Sequence, residues 1–226
     1  MPDLSPLSLA TTDYWWRTVT HLGAAGLVLP VFAAQLIGLW SAKRALATRW
    51  ALAVLMAASV AMLTKCLFWG WGLGIATLNF TGISGHALLA TCLYPVLFRI
   101  HAPQDSPRLQ SAGFFLGLAV AVAVGVSRIV LGAHSASEVW SAWAIGLLVS
   151  YATVGALQDH WQHSKLARVS PLLLLLALNS GAASYLPSHD LEVKFALAVS
   201  GRAKPFTRHK LLRSQRADSE NGVPAN

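Results

Sequence analysis

The strongest constraint on this chain is the recurrence of apolar runs long enough to cross a bilayer. A spanning helix needs about 20 mostly apolar residues, and in hydrocarbon every backbone polar group must find its partner within the protein. Such runs occupy residues 22–40, 50–68, 84–98, 113–130, 135–157 and 171–186, the last interrupted by Asn179, Ser180 and Gly181. A composition of 55% hydrophobic and only 12% charged residues closes off a soluble domain of this length. The expected fold is all-α: a polytopic membrane bundle of about six transmembrane helices. Tyr14, Trp15 and Trp16 before the first run, and Trp69 and Trp71 after the second, read as interfacial aromatic belts.

Charge orients the bundle. Basic residues gather after the first run (Lys43, Arg44, Arg49), the third (Arg99, His101, Arg108) and the fifth (His160, His163, Lys165, Arg168). By the positive-inside rule those loops are cytoplasmic. The loops after the second and fourth runs then lie outside, which brings Lys65, His86, Arg128 and His134 towards one outer face. The formal charge of +8 fits cytoplasmic loops and anionic headgroups, with no nucleic-acid motif anywhere in the chain. Asp3 and Asp13 precede the first basic residue, Arg17, so the first run reads as an uncleaved anchor rather than a signal peptide. Cys66 and Cys92 form neither a disulfide framework nor a zinc pattern. The organisation expected is an interfacial segment at 1–21, a transmembrane domain at 22–187, a basic interfacial tail at 188–216, and a polar, disordered end at 217–226. The tail is anomalous: Arg202, Lys204, Arg208, Lys210, Arg213 and Arg216 follow a sixth helix that would leave them outside.

Chemistry concentrates between Ser127 and Glu138. An apolar run delivers Ser127 and Arg128 to its end, Gly132 permits a turn, and His134 precedes Glu138 by four residues. In the first turn of a helix that spacing puts both side chains on one face. A carboxylate there holds the imidazole in one tautomer and stabilises its cation, and the fork of Arg128 suits a phosphate or carboxylate. Taken singly, Arg128 is better explained by snorkelling at a membrane edge, and His134 and Glu138 by a polar helix start. Together they favour a site. Ser84-Gly85-His86 opens the third run, with Ser84 as a plausible N-cap and free backbone N–H groups suited to an anion. Lys65 closes a stretch with no charge from Ala51 to Thr64; taken alone it is better explained by snorkelling, although an ionisable group at membrane depth is a functional candidate by default.

Lysine, then Ser-Gly-His, then Ser-Arg-x5-His-x3-acid, in this order on successive runs, resembles the type-2 phosphatidic acid phosphatase superfamily, which also contains vanadium-dependent haloperoxidases. The resemblance covers residues 50–157. It departs from the family pattern in three places: Gly72 and Leu73 stand where the first motif has Arg-Pro, Ile83 where the second begins with proline, and Glu138 where the third ends in aspartate.

The resemblance implies metal-independent, cofactor-free hydrolysis of a phosphate monoester or diphosphate through a phosphohistidine. His134 would be the nucleophile, Glu138 its orienting acid and His86 the proton donor and acceptor. Lys65, Ser84, Gly85, Ser127 and Arg128 would bind the phosphate. A site at the outer membrane edge makes a lipid phosphate the expected substrate, and a bacterial inner membrane the expected location. Arg202 or Arg208 of the tail is a candidate replacement for the arginine that Gly72 displaces. Two other readings stay open: an inactive relative serving as a lipid-binding or scaffold protein, which the displaced arginine suggests, and a haem-binding cytochrome using His21, His86, His101 or His134.

Overall fold

The computed structural model describes residues 6–103, 105–157, 169–170, 173–174, 176–178 and 188–213. Among these residues the chain forms α1 (Pro6–His21), α2 (Ala25–Ala42), α3 (Arg44–Trp71), α4 (Gly85–His101), α5 (Pro107–Val130), α6 (Ala136–Gly155) and α7 (Ser188–Ser200). Residues 208–213 add a short helical stretch after α7. The pairing of Ile75 with Phe80, which closes the loop after α3, is an isolated bridge. The protein is an all-α membrane helix bundle.

Burial in this bundle is inverted relative to a water-soluble one. Leu52, Leu55 and Met56 of α3, Phe115 and Leu116 of α5 and Leu148 of α6 are all exposed. Polar Thr91, Ser127, Glu138, Ser150 and Thr153 are buried. An outer surface of large apolar side chains is costly in water and suits hydrocarbon. By length and composition Tyr14–Trp40, Arg44–Trp71 and Pro107–Val130 can each cross a membrane. The other expected spans differ in informative ways. The first begins inside a helix–break–helix, with α1 ending at His21 and α2 starting at Ala25. The break is tied down by the Tyr94 hydroxyl, which donates to the Leu22 carbonyl at 2.6 Å. The third, α4, has only 17 residues but is the core of the bundle, with Ala87, Leu88, Leu93, Tyr94 and Val96 almost fully buried. Most of the sixth run, including Asn179, Ser180 and Gly181, lies outside the described residues, as do the basic loop at 160–168, Arg216 and the end at 217–226.

Small residues let the helices close on α4. A Cβ on Gly117 of α5 would stand 2.2 Å from the Tyr94 carbonyl oxygen, so any larger side chain would push the helices apart. Gly113 and Gly117 form the small-xxx-small spacing by which membrane helices pack without a hydrophobic drive. α6 meets α4 through a hydrogen bond from the Ser150 hydroxyl to the Thr91 carbonyl. This packing fixes the start of α4, the end of α5 and the start of α6 at one end of the bundle. The C-terminal end of α3 arrives at that end as well.

Candidate active site

The third motif lies across the turn between α5 and α6. α5 stops at Val130, Gly132 adopts φ +66°, and the N–H groups of Ala133 and His134 both bond back to the Arg128 carbonyl. Ser135 is the N-cap of α6 and Glu138 its N3 residue, and the two form a reciprocal capping box. His134 therefore stands before the helix rather than in its first turn. The four-residue spacing still brings the groups together: His134 Nδ1 lies 2.7 Å from Glu138 Oε2.

Glu138 is the hub of the site. It is completely buried, and beyond His134 it accepts from the Ser135 N–H at 3.1 Å and from the Thr81 N–H and hydroxyl at 2.6 Å each. Arg208 Nη2 adds bonds of 2.7 Å to both carboxylate oxygens and donates to Thr81 Oγ1 at 3.0 Å. A carboxylate so thoroughly donated to remains ionised despite its burial. With Nδ1 of His134 committed to it, the lone pair of that imidazole belongs to Nε2. Burial pushes the His134 imidazole below its usual value, opposed by the Glu138 bond and assisted by the charges of Arg128 and Lys65.

Facing this pair are the other sequence-predicted residues. Lys65, Gly85, His86, Arg128 and His134 all line one small cavity of about 90 Å³. It adjoins a larger, more open one of about 660 Å³ that shares Lys65, Arg128 and His134 and adds Thr81, Gly82 and Arg208. Arg128 donates from Nη1 to Thr20 Oγ1 of α1 at 2.9 Å, while its buried Nε has no hydrogen-bond partner. Lys65 is largely buried and bonds both oxygens of Glu192, at 3.0 and 2.8 Å.

Two expectations need correction, and a third is narrowed. Ser84 occupies the N-cap position of α4 but makes no capping bond; its buried hydroxyl is unpartnered, while its N–H reaches the Glu138 carbonyl at 3.2 Å. Ser127 turns its hydroxyl back onto the Val124 carbonyl at 2.6 Å, as a buried serine in a helix does when no other acceptor is near. Of the two tail arginines only Arg208 reaches the pocket; the Arg202 guanidinium packs over the Phe206 ring at 4.2 Å.

Sequence reasoning missed Thr81, Gly82, Thr20 and Glu192. Thr81 stands two residues before the motif that was recognised, and its role depends on the loop folding onto α6. Gly82 has φ +146°, and a Cβ there would lie 2.7 Å from Lys65 Cγ. The tail reaches the site because Gly72, at φ +75°, leaves room for the Phe206 ring, whose carbons would stand 2.9 Å from a Cβ at that position. The Phe206 N–H donates to the Trp69 carbonyl at 3.0 Å, and two residues on Arg208 meets Glu138.

Residues 64–162 match the model of the PAP2 superfamily. The chain is 33% identical over 205 residues to the "Uncharacterized 22.5 kDa protein in cps region" of Klebsiella pneumoniae, covering 87% of this chain and 97% of that one. It is 29% identical over 149 residues to phosphatidylglycerophosphatase B of Bacillus subtilis (strain 168), covering 61% of this chain and 71% of that one. No solved structure matches the chain significantly. The protein belongs to the type-2 phosphatidic acid phosphatase superfamily and is a membrane-associated phosphatase of that group.

Proposed function

We propose that this protein hydrolyses a lipid phosphate or diphosphate through a phosphohistidine, without a metal, at the outer face of a bacterial inner membrane. The observation that carries the reading is the buried His134–Glu138 pair beside a cavity lined by His86, Lys65 and Arg128. Nε2 of His134 attacks phosphorus, and the P–O bond to the lipid breaks. His86 supplies the proton to the departing oxygen, and Glu138 stabilises the imidazole as positive charge develops on it. A water then attacks the phosphohistidine, His86 recovers a proton from it, and inorganic phosphate leaves. Lys65, Arg128 and the Gly85 backbone neutralise the equatorial oxygens, with Ser84 at the same helix start. Arg208 adds a cation where Gly72 leaves none.

The choice of a lipid phosphate rests on the apolar surface around the site and on a relative named for phosphatidylglycerophosphate. The outward orientation rests on the alternation of basic loops. The segment at 188–213 is read as part of the phosphatase domain, because α7 and Arg208 both contact the site.

Two experiments test this. Phosphate release from phosphatidylglycerophosphate, phosphatidate, a prenyl diphosphate and a phosphorylated glycolipid should reveal one or more substrates, and His134→Ala should abolish turnover of each. Turnover at the wild-type rate by that variant would reject the mechanism. In a background without Cys66 and Cys92, a cysteine at the exposed Leu73 should react with a membrane-impermeant thiol reagent in intact cells, and one at Ala45 should not. The opposite pattern would put the site inside.

A further inference from the structure

The buried end of Lys65 already holds an anion that the chain itself supplies. Glu192 sits one turn into α7 and presents both carboxylate oxygens to Lys65 Nζ, as two oxygens of a phosphoryl group would. It lines the same small cavity as Gly85, His86, Arg128 and His134. The contact is built into the packing of α7 on α3. Ala196 is fully buried, the His189 ring meets Trp69 edge-on at 5.4 Å, and a Cβ on Gly70 would stand 2.9 Å from Ser200 Cβ. The carboxylate of Glu192 is only partly shielded, with 26% of its side chain exposed against 11% for Lys65. An anion arriving from outside can therefore displace it without unpacking the helix.

We propose that Glu192 is a specificity-determining residue: a resident carboxylate that occupies the phosphate subsite at Lys65 and raises the concentration at which any phosphate binds, a threshold met by phosphates concentrated at the membrane surface and not by dilute phosphate in solution. The inference rests on the reading of Lys65 and His134 as a phosphate site. Two anions beside one ammonium repel each other strongly where water is sparse. A phosphate must therefore displace Glu192 to bind, and its apparent affinity falls by the fraction of time that Lys65 is free. If the pair is closed nine-tenths of the time, the loss is about tenfold. A lipid phosphate is confined to the plane of the cavity and meets it at an effective concentration in the millimolar range, so it overcomes that loss. Dilute soluble esters, and the inorganic phosphate that the reaction releases, do not. The same carboxylate thus limits product inhibition.

The test uses the full chain in detergent, comparing wild type, Glu192→Gln and Glu192→Asp. Inorganic phosphate is the binding probe, read by calorimetry or by the rise in Tm, so this arm does not depend on turnover. Glu192→Gln should bind phosphate about tenfold more tightly, and Glu192→Asp, which keeps the charge, should stay near wild type. In turnover, Glu192→Gln should lower KM about tenfold both for a water-soluble short-chain phosphate ester and for a long-chain lipid phosphate in mixed micelles, so that at a fixed working concentration the rate rises for the dilute ester and little for the lipid already near saturation. Unchanged phosphate affinity in Glu192→Gln would overturn the proposal. So would a fall in kcat with no gain in affinity, which would make Glu192 a support for Lys65. Tighter phosphate binding by Glu192→Gln in a protein that hydrolyses no lipid phosphate would reject the phosphatase reading and uphold this assignment.

Discussion

The two halves of the site are made in different ways. One half rides on the ends of α4, α5 and α6, where α4 is clamped between its neighbours and each functional side chain sits at a helix terminus. The other half is the segment from α7 to residue 213, laid over the first by Phe206 against Gly72 and by α7 against α3. The helical half contains Arg128, His134 and Glu138, the proposed cation, nucleophile and acid, within twelve residues. The tail half contributes one group of each sign, Arg208 to Glu138 and Glu192 to Lys65, across 70 and 127 residues of sequence. On the proposed reading the chemistry belongs to the helix ends, while the tail adjusts the charge around them. The contrast is sharpest at Glu138, whose Oε2 is shared between His134 of the first half and Arg208 of the second.

Substitutions on either side of that carboxylate separate the two contributions. The larger effect belongs to the scaffold half. Glu138→Gln keeps the shape but removes the charge that fixes and stabilises the imidazole, and should lower kcat on the order of 10³-fold. The pH profile sharpens this. Burial holds His134 below its usual value, so the acid limb of kcat/KM should lie below the ordinary histidine range of about 6.5. Glu138 raises that value, so its removal should move the limb to still lower pH, even as the rate falls. A limb that moves upward would show that Glu138 does not act through His134.

Arg208→Ala comes next. Loss of one preorganised cation should cost about 10²-fold in kcat/KM, whereas Arg202→Ala, whose guanidinium rests on Phe206, should stay within about twofold. Equal effects from the two arginines would mean that the tail acts only through its overall charge.

How much of this was legible in the sequence follows the same division. The membrane bundle was readable because bilayer thickness sets the length of apolar runs. The pair His134 and Glu138 was readable because its geometry depends on four residues of chain; even placing it in the first turn of α6 rather than across the N-cap left the contact intact. Lys65, His86 and Arg128 could be brought together from loop charge alone, since alternate helix ends share a side of the membrane. Nothing local marks Thr81 as a ligand of Glu138 or Glu192 as the partner of Lys65, because the first contact exists only once the loop before α4 folds onto α6 and the second only once α7 packs on α3. Arg208 was reachable only as one of two candidates, through the arginine displaced at Gly72. The structure links these two features physically, since the glycine that leaves the gap also admits the phenylalanine that carries Arg208 in. Ser127 was misplaced because a serine in a helix can always satisfy itself on its own backbone.

The central claim is that His134 is phosphorylated during turnover. Brief mixing of the protein with a ³²P-labelled lipid phosphate, followed by quenching in base and gel electrophoresis, measures it directly, because phosphohistidine is stable in alkali and labile in acid. The wild-type chain should carry acid-labile label, lost completely in His134→Ala and retained, though formed more slowly, in Glu138→Gln. Label that persists in His134→Ala, or a wild-type chain that releases phosphate with no trappable intermediate under any quench, would contradict the account.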